Sequence, residues 1–529
     1  MNYSKFPILY LLTGYFIGLL ILMYWWKYKS NIQSRYLSIL SILFLFWLRF
    51  PFIVFNQELN PDESQMITHS MTLRSDHIYW KFVDGHTIGP LSSYLLILPT
   101  FLGLAFDYTS ARLTAYFLML GSLFFFYKSL RQLTQSSIAW LGVFPLIFFY
   151  GFTQEYDFIH YSSELLSVFL LNVSQWIYLR ITEKPYKHPS EWFLLGLNLG
   201  IIPFCKLQAV PIALVIGVFA LWNARKQTRD WQGGFFLISG SMLFPIIVLQ
   251  WLLYHQLWDD FLTFYIEGNL IYGSPISFIE KTINLYRFFR NSSSFSFFAL
   301  SLCPLLLYGW KHIKKSHHLG LAVSLVIASI FSVLKTGNVF NHYLHLLLYP
   351  LAFLAFLIGK DTLRTQGMFW IIWIGTLWIV GSTVFKKLSE TSKLAYMYCI
   401  SEPDLQISPA SKLILKYANS KDRMAIWGWV CRYHVETQIP QGATETHPER
   451  CILEHPLRER YYQRYIQDIK YKKPKIFVDA VAPNRLLLNN REEQSHAHFP
   501  ELRKLIESHY VFVGEADKSR IYIRKDEKR

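Results

Sequence analysis

The sequence predicts a polytopic α-helical membrane protein of about 12 spans with a C-terminal soluble α/β domain. Three observations carry that reading. The 529-residue chain is 52% hydrophobic and 18% aromatic. Its apolar residues are gathered into blocks, most of them about long enough to cross ~30 Å of hydrocarbon at about 1.5 Å per residue. After residue 385 the blocks stop, and short strand-like runs alternate with helical ones.

The spans are expected near 6–26, 36–55, 112–127, 137–152, 164–181, 191–204, 208–222, 235–254, 295–311, 319–335, 343–359 and 367–385. The first block lacks a small-residue cleavage site and reads as a retained span. The formal net charge of +16 points to membrane topology and away from nucleic acid, because the basic residues cluster in alternate short loops. Those loops carry Lys27, Lys29 and Arg35; Lys128 and Arg131; Arg180, Lys184 and Lys187; Arg225, Lys226 and Arg229; Lys311, Lys314 and Lys315; and Lys360 and Arg364. Short basic loops remain cytoplasmic. The opposite, extracytoplasmic side then holds 56–111, 153–163, the bend at Lys206, 255–294, 336–342 and the tail.

The segment "GPLSSYLLILPTFLGLAF", 89–106, is apolar enough to enter a membrane, but a full crossing there would invert every later loop. It reads as a re-entrant or interfacial helix, broken around Pro99 and Gly103. A true span is the alternative. The chain thus divides into a membrane module, 1–385, with an external loop at 56–111, and an extracytoplasmic α/β domain, 386–529. In that domain "RMAIWGWV", "PKIFVDAV", "YVFVGEA" and "RIYIR" read as strands, and "SKLILKYA" and "FPELRKLIESH" as helices. Of the five cysteines, none forms a metal-like pair of ligands in sequence; Cys431 and Cys451 either pair in an oxidising compartment or stay as thiols.

Three polar clusters stand out against this background. In "NPDESQMITHS" the carboxylates Asp62 and Glu63 lie where the chain leaves a span. An ionised, aimed carboxylate there suits general-base work; the plainer role is for Asp62 to cap the helix that follows. In "YGFTQEYDFIHYSSELL", 150–166, Glu155, Asp157, His160 and Glu164 fall at membrane depth, where ionisable groups are costly and tend to be functional. His160 and Glu164 are four apart and would share a helix face, a spacing that admits a divalent metal without indicating one. The third cluster is cationic. Lys206 and Gln208 lie at one external bend, and Lys335, Asn338, Asn341, His342, Tyr343 and His345 at another, with Arg112 after "DYTSA". Singly such cations snorkel; together, on the face that holds the acid pair, they suit a lipid phosphate.

The "PDE" at the start of the first large external loop, followed by "GPLSSYLLILP" and "ARL", resembles the GT-C glycosyltransferases that use polyprenyl-phosphate sugars. The protein O-mannosyltransferase and lipid A aminoarabinose transferase types are the nearest groups. "KLQAVPIAL" and "HYLHLLLYPLAFLA" add to the likeness, which covers roughly 36–360. The resemblance implies catalysis at Asp62, with Glu63 beside it, and a second acid at Asp157. It departs from the family where "HTIGPL" puts His86 in place of an expected basic residue, and in an additional span before the acidic loop. The implied function is inverting transfer of a sugar from a polyprenyl-phosphate donor to an extracytoplasmic glycan, lipid or protein acceptor, in a bacterial inner membrane. The donor phosphate and substrate contacts fall to Lys206, Gln208, Arg112, His86, His160, Lys335, His342 and Tyr343. No cofactor is certain, a divalent metal is admitted but not indicated, and no nucleic acid is expected. A transporter or lipid flippase is the main rival, since polar groups at several depths would also line a path. A scaffold presenting the tail is a second, and it leaves the membrane-depth acids without a role.

Overall fold

A computed structural model describes residues 7–28, 34–183, 188–227, 231–273, 277–309, 317–360, 381 and 404–527. Every expected span coincides with a helix, except 367–385, which apart from residue 381 lies outside the described residues. Seven of the described helices are both long and apolar enough to cross a membrane: Arg35–Ile53, Tyr108–Leu133, Glu164–Glu183, Leu207–Arg225, Gln232–Tyr254, His317–Leu334 and Asn341–Gly359. Leu9–Trp25, Ser136–Phe152 and Ser293–Leu307 are apolar but shorter. The chain is an integral membrane protein. The segment 89–106 is not one helix. It forms Pro90–Leu95 and a 3-10 turn, Leu98–Leu102, that ends on Gly103 with φ 81°.

The chain divides into two compact units that do not follow sequence order: 1–55, 115–251 and 273–401 form one, and 56–114, 252–272 and 402–529 the other. In the first unit, helix packing relies on small residues. Gly196 and Gly200, one turn apart on Pro189–Ile201, face Gln232–Tyr254 so closely that a Cβ at either would run into the backbone of Leu237 or Ser241. Gly240 meets the Phe193 carbonyl in the same way. Close backbone approach at small residues is how helices associate in lipid, where apolar burial alone gives little preference for protein over lipid tails.

The second unit contains a four-stranded sheet in the order β1-β2-β4-β3. Its strands are β1 (Met424–Trp427), β2 (Ile476–Asp479), β3 (Tyr510–Ala516) and β4 (Ser519–Arg524). β1 and β2 are parallel and the other pairings antiparallel. The parallel pair needs a crossover, and the helix Arg458–Lys472 lies within it. Side chains alternate between the two faces of a strand. Ala425, Trp427 and Phe477 therefore enter one core with Tyr461, Tyr465, Ile466 and Leu502. Met424, Ile426, Ile476 and Val478 enter another with Ala410, Ile414, Ile521 and Ile523. Burial on both faces explains why these strands read as continuous apolar runs. Cys431 and Cys451 are buried and not disulfide-bonded. Cys451 belongs to the first of these cores, so the pairing considered from sequence does not form.

The loop 56–111 is fastened to the tail within this second unit. Asp84 N–H donates to the Thr444 carbonyl at 2.9 Å, and Gln441 N–H to Thr72 Oγ1 at 3.1 Å. Arg423 pairs with Asp76, and Gln438 donates to the Phe106 carbonyl at 2.9 Å.

Candidate active site

The acid pair opens the helix Pro61–Ser75 in the second unit. Asn60, not Asp62, is its cap: Asn60 Oδ1 accepts the Asp62 N–H at 2.9 Å, and Pro61 takes the first helical position. The capping role weighed for Asp62 is therefore overturned. Proline needs no donor at that position and brings a helical φ, which makes the residue before it the cap.

Glu63, one residue on, is completely buried. Arg112 grips it with both ends of its fork, Nε to Oε1 at 3.0 Å and Nη2 to Oε2 at 2.6 Å. Arg112 Nη2 also donates to the Gln57 carbonyl at 2.6 Å. The guanidinium assigned from sequence to a lipid phosphate thus holds a carboxylate. Glu58 completes the surroundings. It accepts from Ser64 Oγ at 2.6 Å, and Arg432 lies 4.0 Å away. Burial raises the Glu58 pKa, against the Ser64 hydrogen bond and the Arg432 charge. Further along the helix, burial lowers the His69 imidazole to about 3.

His86 is reached through a network that local sequence does not announce. Asp84 Oδ1 accepts the His86 N–H at 2.8 Å, while Asp84 Oδ2 is held by Arg464. Arg464 also bonds Glu445 at 2.7 Å and lies over the Phe264 ring, 3.4 Å from its centre. His86 is itself buried, which lowers its pKa well below the ordinary value.

The remaining sequence candidates fall in the first unit. Lys206 is buried at its bend. Its ammonium donates to Ser163 Oγ at 2.6 Å, pairs with Glu164, and lies 5.2 Å from the centre of the Tyr343 ring. Asp157 Oδ1 and His342 Nδ1 are 3.3 Å apart, and the rings of His160 and His342 are 6.1 Å apart. Arg49 steadies this turn by donating to the Phe158 carbonyl at 2.6 Å. Gln208 donates to the Ser332 carbonyl at 2.8 Å. Lys335 is exposed, yet its surroundings remove enough water to lower its pKa. Glu155 anchors the start of the helix Ser293–Gly309, accepting from Ser292 Oγ at 2.6 Å and the Ser294 N–H at 2.8 Å.

The structure therefore gathers Asp62, Glu63, His86 and Arg112 in one unit, and Asp157, His160, Lys206, Gln208, Lys335, His342 and Tyr343 in the other. Among the described residues, three groups place possible ligand atoms within 4.8 Å of one another: Asp157, His160 and His342; His86, His447 and Glu449; and Glu183, His317 and His318. The tail residues His447, Glu449 and Arg464 were not singled out from sequence. The available signal was the run of titratable side chains in "TETHPER", 444–450.

No protein-family model and no curated protein matches the sequence. Solved structures do. ArnT from Cupriavidus metallidurans bound to undecaprenyl phosphate is similar over 92% of this chain and 97% of its own, at 12% identity and a TM-score of 0.53. The mycobacterial arabinofuranosyltransferase AftD matches over 94% of this chain and 40% of its own, at 12% identity and TM-score 0.48. The oligosaccharyltransferase AglB from Archaeoglobus fulgidus, in complex with an inhibitory peptide and a dolichol-phosphate, matches over 90% and 73%, at 10% identity and TM-score 0.43. The likeness to ArnT runs nearly end to end through both chains, and it shows that this chain has the GT-C fold.

Proposed function

We propose that the chain is an inverting glycosyltransferase that moves a sugar from a polyprenyl-phosphate-linked donor to an extracytoplasmic glycan, lipid or protein acceptor. One observation carries this reading. Asp62 stands in the first turn of the helix opening the external loop, in a chain whose fold extends along 97% of a transferase bound to undecaprenyl phosphate. With Asn60 as the cap, helix geometry does not require a carboxylate at position 62.

In the proposed reaction the acceptor oxygen or nitrogen attacks the anomeric carbon from the side opposite the phosphate. Asp62 takes the proton from the acceptor as the new bond forms. The bond between the anomeric carbon and the phosphate oxygen breaks, and the lipid phosphate leaves with the electron pair. Positive charge that strengthens as the phosphate becomes more anionic lowers the barrier. We assign that charge to Lys206 and Lys335, with His342 beside Asp157 and with His160, Gln208 and Tyr343 as headgroup contacts. Lys206 has two of its three N–H donors directed at Ser163 and Glu164, which leaves one for a phosphate oxygen. Arg112 acts through Glu63, as a positioning residue for the turn that carries Asp62.

The test is transfer from a polyprenyl-phosphate sugar by purified Asp62→Asn. Asparagine matches aspartate in size and lacks the proton acceptor, so turnover should fall by ~10²-fold or more. Near-wild-type turnover would overturn the assignment. The orientation is tested by Ser75→Cys and Ser420→Cys, both at exposed positions. Both should react with an impermeant thiol reagent in intact cells; reaction only after lysis would place Asp62 on the wrong face for a lipid-linked donor.

A further inference from the structure

We propose that Trp429, His447, Glu449 and Arg450 of the tail, with His86 of the loop 56–111, form a binding site for a neutral sugar ring. The site lies wholly within the second unit. Taken with the transfer reading above, on which this rests, the site narrows the acceptor to a glycan, whose hydroxyl attacks the donor. Asp62 lies within electrostatic reach of Glu449, so a ring held against Glu449 stands beside the proposed base.

Five buried polar atoms point to it. Among the described residues, Trp429 Nε1, His86 Nε2, Arg450 Nη2 and both ring nitrogens of His447 are buried with no hydrogen-bond partner. A buried polar atom left unpaired carries its full desolvation cost, and native interiors contain few of them. The side chains that carry these five are packed together. Trp429 stacks on His447, with ring centres 4.3 Å apart and planes 11° apart. His447 meets His86 edge to face at 5.0 Å, and Arg450 is within electrostatic reach of both imidazoles. Water would pair such atoms singly. The indole and imidazoles between them favour a larger ligand, with an apolar face as well as hydroxyls.

The chemistry of these atoms selects the ligand. Indole and guanidinium N–H groups only donate, whereas a neutral imidazole donates from one nitrogen and accepts at the other. Burial keeps both imidazoles neutral, with His447 lowered to about 3 and His86 well below its ordinary value. It raises the Glu449 carboxyl to about 7, so near neutral pH that group divides between accepting and donating forms. A ligand that answers this mixed set must donate and accept at adjacent atoms, as the hydroxyls of a sugar ring do. Charge disfavours ions of either sign: Arg450 opposes a cation, and Glu449 with Asp62 an anion. Ligand sites join apolar and aromatic walls to a few placed polar groups. Here the walls are Trp429, the two imidazoles and Tyr461, whose ring lies 5.6 Å from that of His86. Arg450 is already aimed, since Nη1 donates to Tyr461 Oη at 2.8 Å and leaves Nη2 for the ligand. His86 is fixed through its backbone, its N–H by Asp84 and its carbonyl by Asn269 at 3.2 Å. Trp429 and Glu449 are only partly buried, so the site opens past them.

The experiment uses the purified full-length protein in detergent, without donor. It is applied to an array of neutral oligosaccharides, uronate-containing oligosaccharides and unglycosylated peptides, and the dissociation constant of the strongest neutral binder is then measured. The wild type should retain neutral oligosaccharides. Trp429→Ala and His447→Ala should each weaken that binding by about tenfold or more, as expected for losing hydrogen bonds and ring contact to the ligand. Trp429→Phe keeps an aromatic ring and loses the N–H, so it should fall between wild type and Trp429→Ala, a comparison that survives if an alanine variant fails to fold. Tyr471→Ala, at an exposed position elsewhere in the tail, should bind as wild type. Asp62→Asn should bind the glycan and fail to transfer to it; normal transfer by that variant would overturn the catalytic reading and leave the sugar site standing. Wild type that retains no oligosaccharide, only uronate-containing ones or only peptides would overturn the proposal. So would wild-type binding by monodisperse Trp429→Ala and His447→Ala.

Discussion

Each unit buries a carboxylate of a helix's first turn against a cation, Glu63 with Arg112 and Glu164 with Lys206, and the two pairs are built differently. Glu63 meets Arg112 through two parallel hydrogen bonds, and Arg112 spends a further donor on the Gln57 carbonyl. Glu164 meets Lys206 through a single ammonium that also serves Ser163. A guanidinium is planar, permanently charged and matched to a carboxylate by its fork; an ammonium is a point charge on a flexible stem. The first pair is a clamp whose geometry is fixed. The second can turn a donor toward a newcomer without breaking its first bond. We therefore read Glu63–Arg112 as scaffolding for Asp62, and Lys206 as the cation able to respond to a phosphate.

The largest expected effect breaks the clamp. Glu63→Ala leaves the Arg112 charge buried without its fork partner. Removing one member of a buried pair costs about 3–5 kcal/mol, because the remaining charge stays desolvated. Thermal unfolding in detergent should show a large fall in the midpoint. A variant as stable as wild type would mean that Arg112 relaxes to water, and the distinction between the pairs would fail.

Next is an exchange of cations. Arg112→Lys keeps the charge and loses the fork, so it should cost about 2–3 kcal/mol of stability through lost charge-assisted hydrogen bonds. Lys206→Arg should keep much of the stability and part of the function, with its effect in donor KM, while Lys206→Ala should raise donor KM further. Equal stability losses from Arg112→Lys and Lys206→Arg, with donor KM unmoved, would make Lys206 a structural partner of Glu164 and leave the phosphate to Lys335.

Much of this molecule was legible in local sequence, for a physical reason. Membrane spans and doubly buried strands are written as uninterrupted apolar runs, so "RMAIWGWV" and "PKIFVDAV" coincide with β1 and β2. The cap of the acid helix was legible but misread: Asn60 and Asp62 are both good caps, and Pro61 decides between them. The partners of the charges were not legible. Arg464 meets Asp84 across 380 positions of sequence, and Glu63 meets Arg112 across 49. Nothing in either neighbourhood encodes those meetings. The same holds for His447, whose significance comes from facing His86 and not from its own surroundings. Reading a cation as available for a ligand needs its carboxylate to be known first, and that is long-range information.

The smallest effect separates the ion pairs from the buried imidazoles by pH. Carboxylates ordinarily titrate near 4.3 and histidines near 6.5. If pairs such as Glu63–Arg112 dominate the acid response, stability holds until pH approaches the carboxylate range. His434 in the tail predicts an earlier loss. Its Nδ1–H donates to the Ile439 carbonyl at 2.8 Å, and burial lowers its pKa to about 4. Between about 4 and 6.5 the unfolded chain therefore binds a proton at this residue that the folded chain refuses. Stability from this group is complete above 6.5 and is lost as pH falls toward 4. From pH 7 to pH 5 the loss should be about 1–2 kcal/mol, and His69, lowered to about 3 by burial, should add to it. His434→Gln has no titrating ring, so its stability should vary less across that interval, whatever the substitution costs in packing. The measurement is the unfolding midpoint of wild type and variant at pH 7, 6 and 5. Parallel curves would show that the imidazole is protonated without penalty in the folded protein, and the acid response would return to the ion pairs.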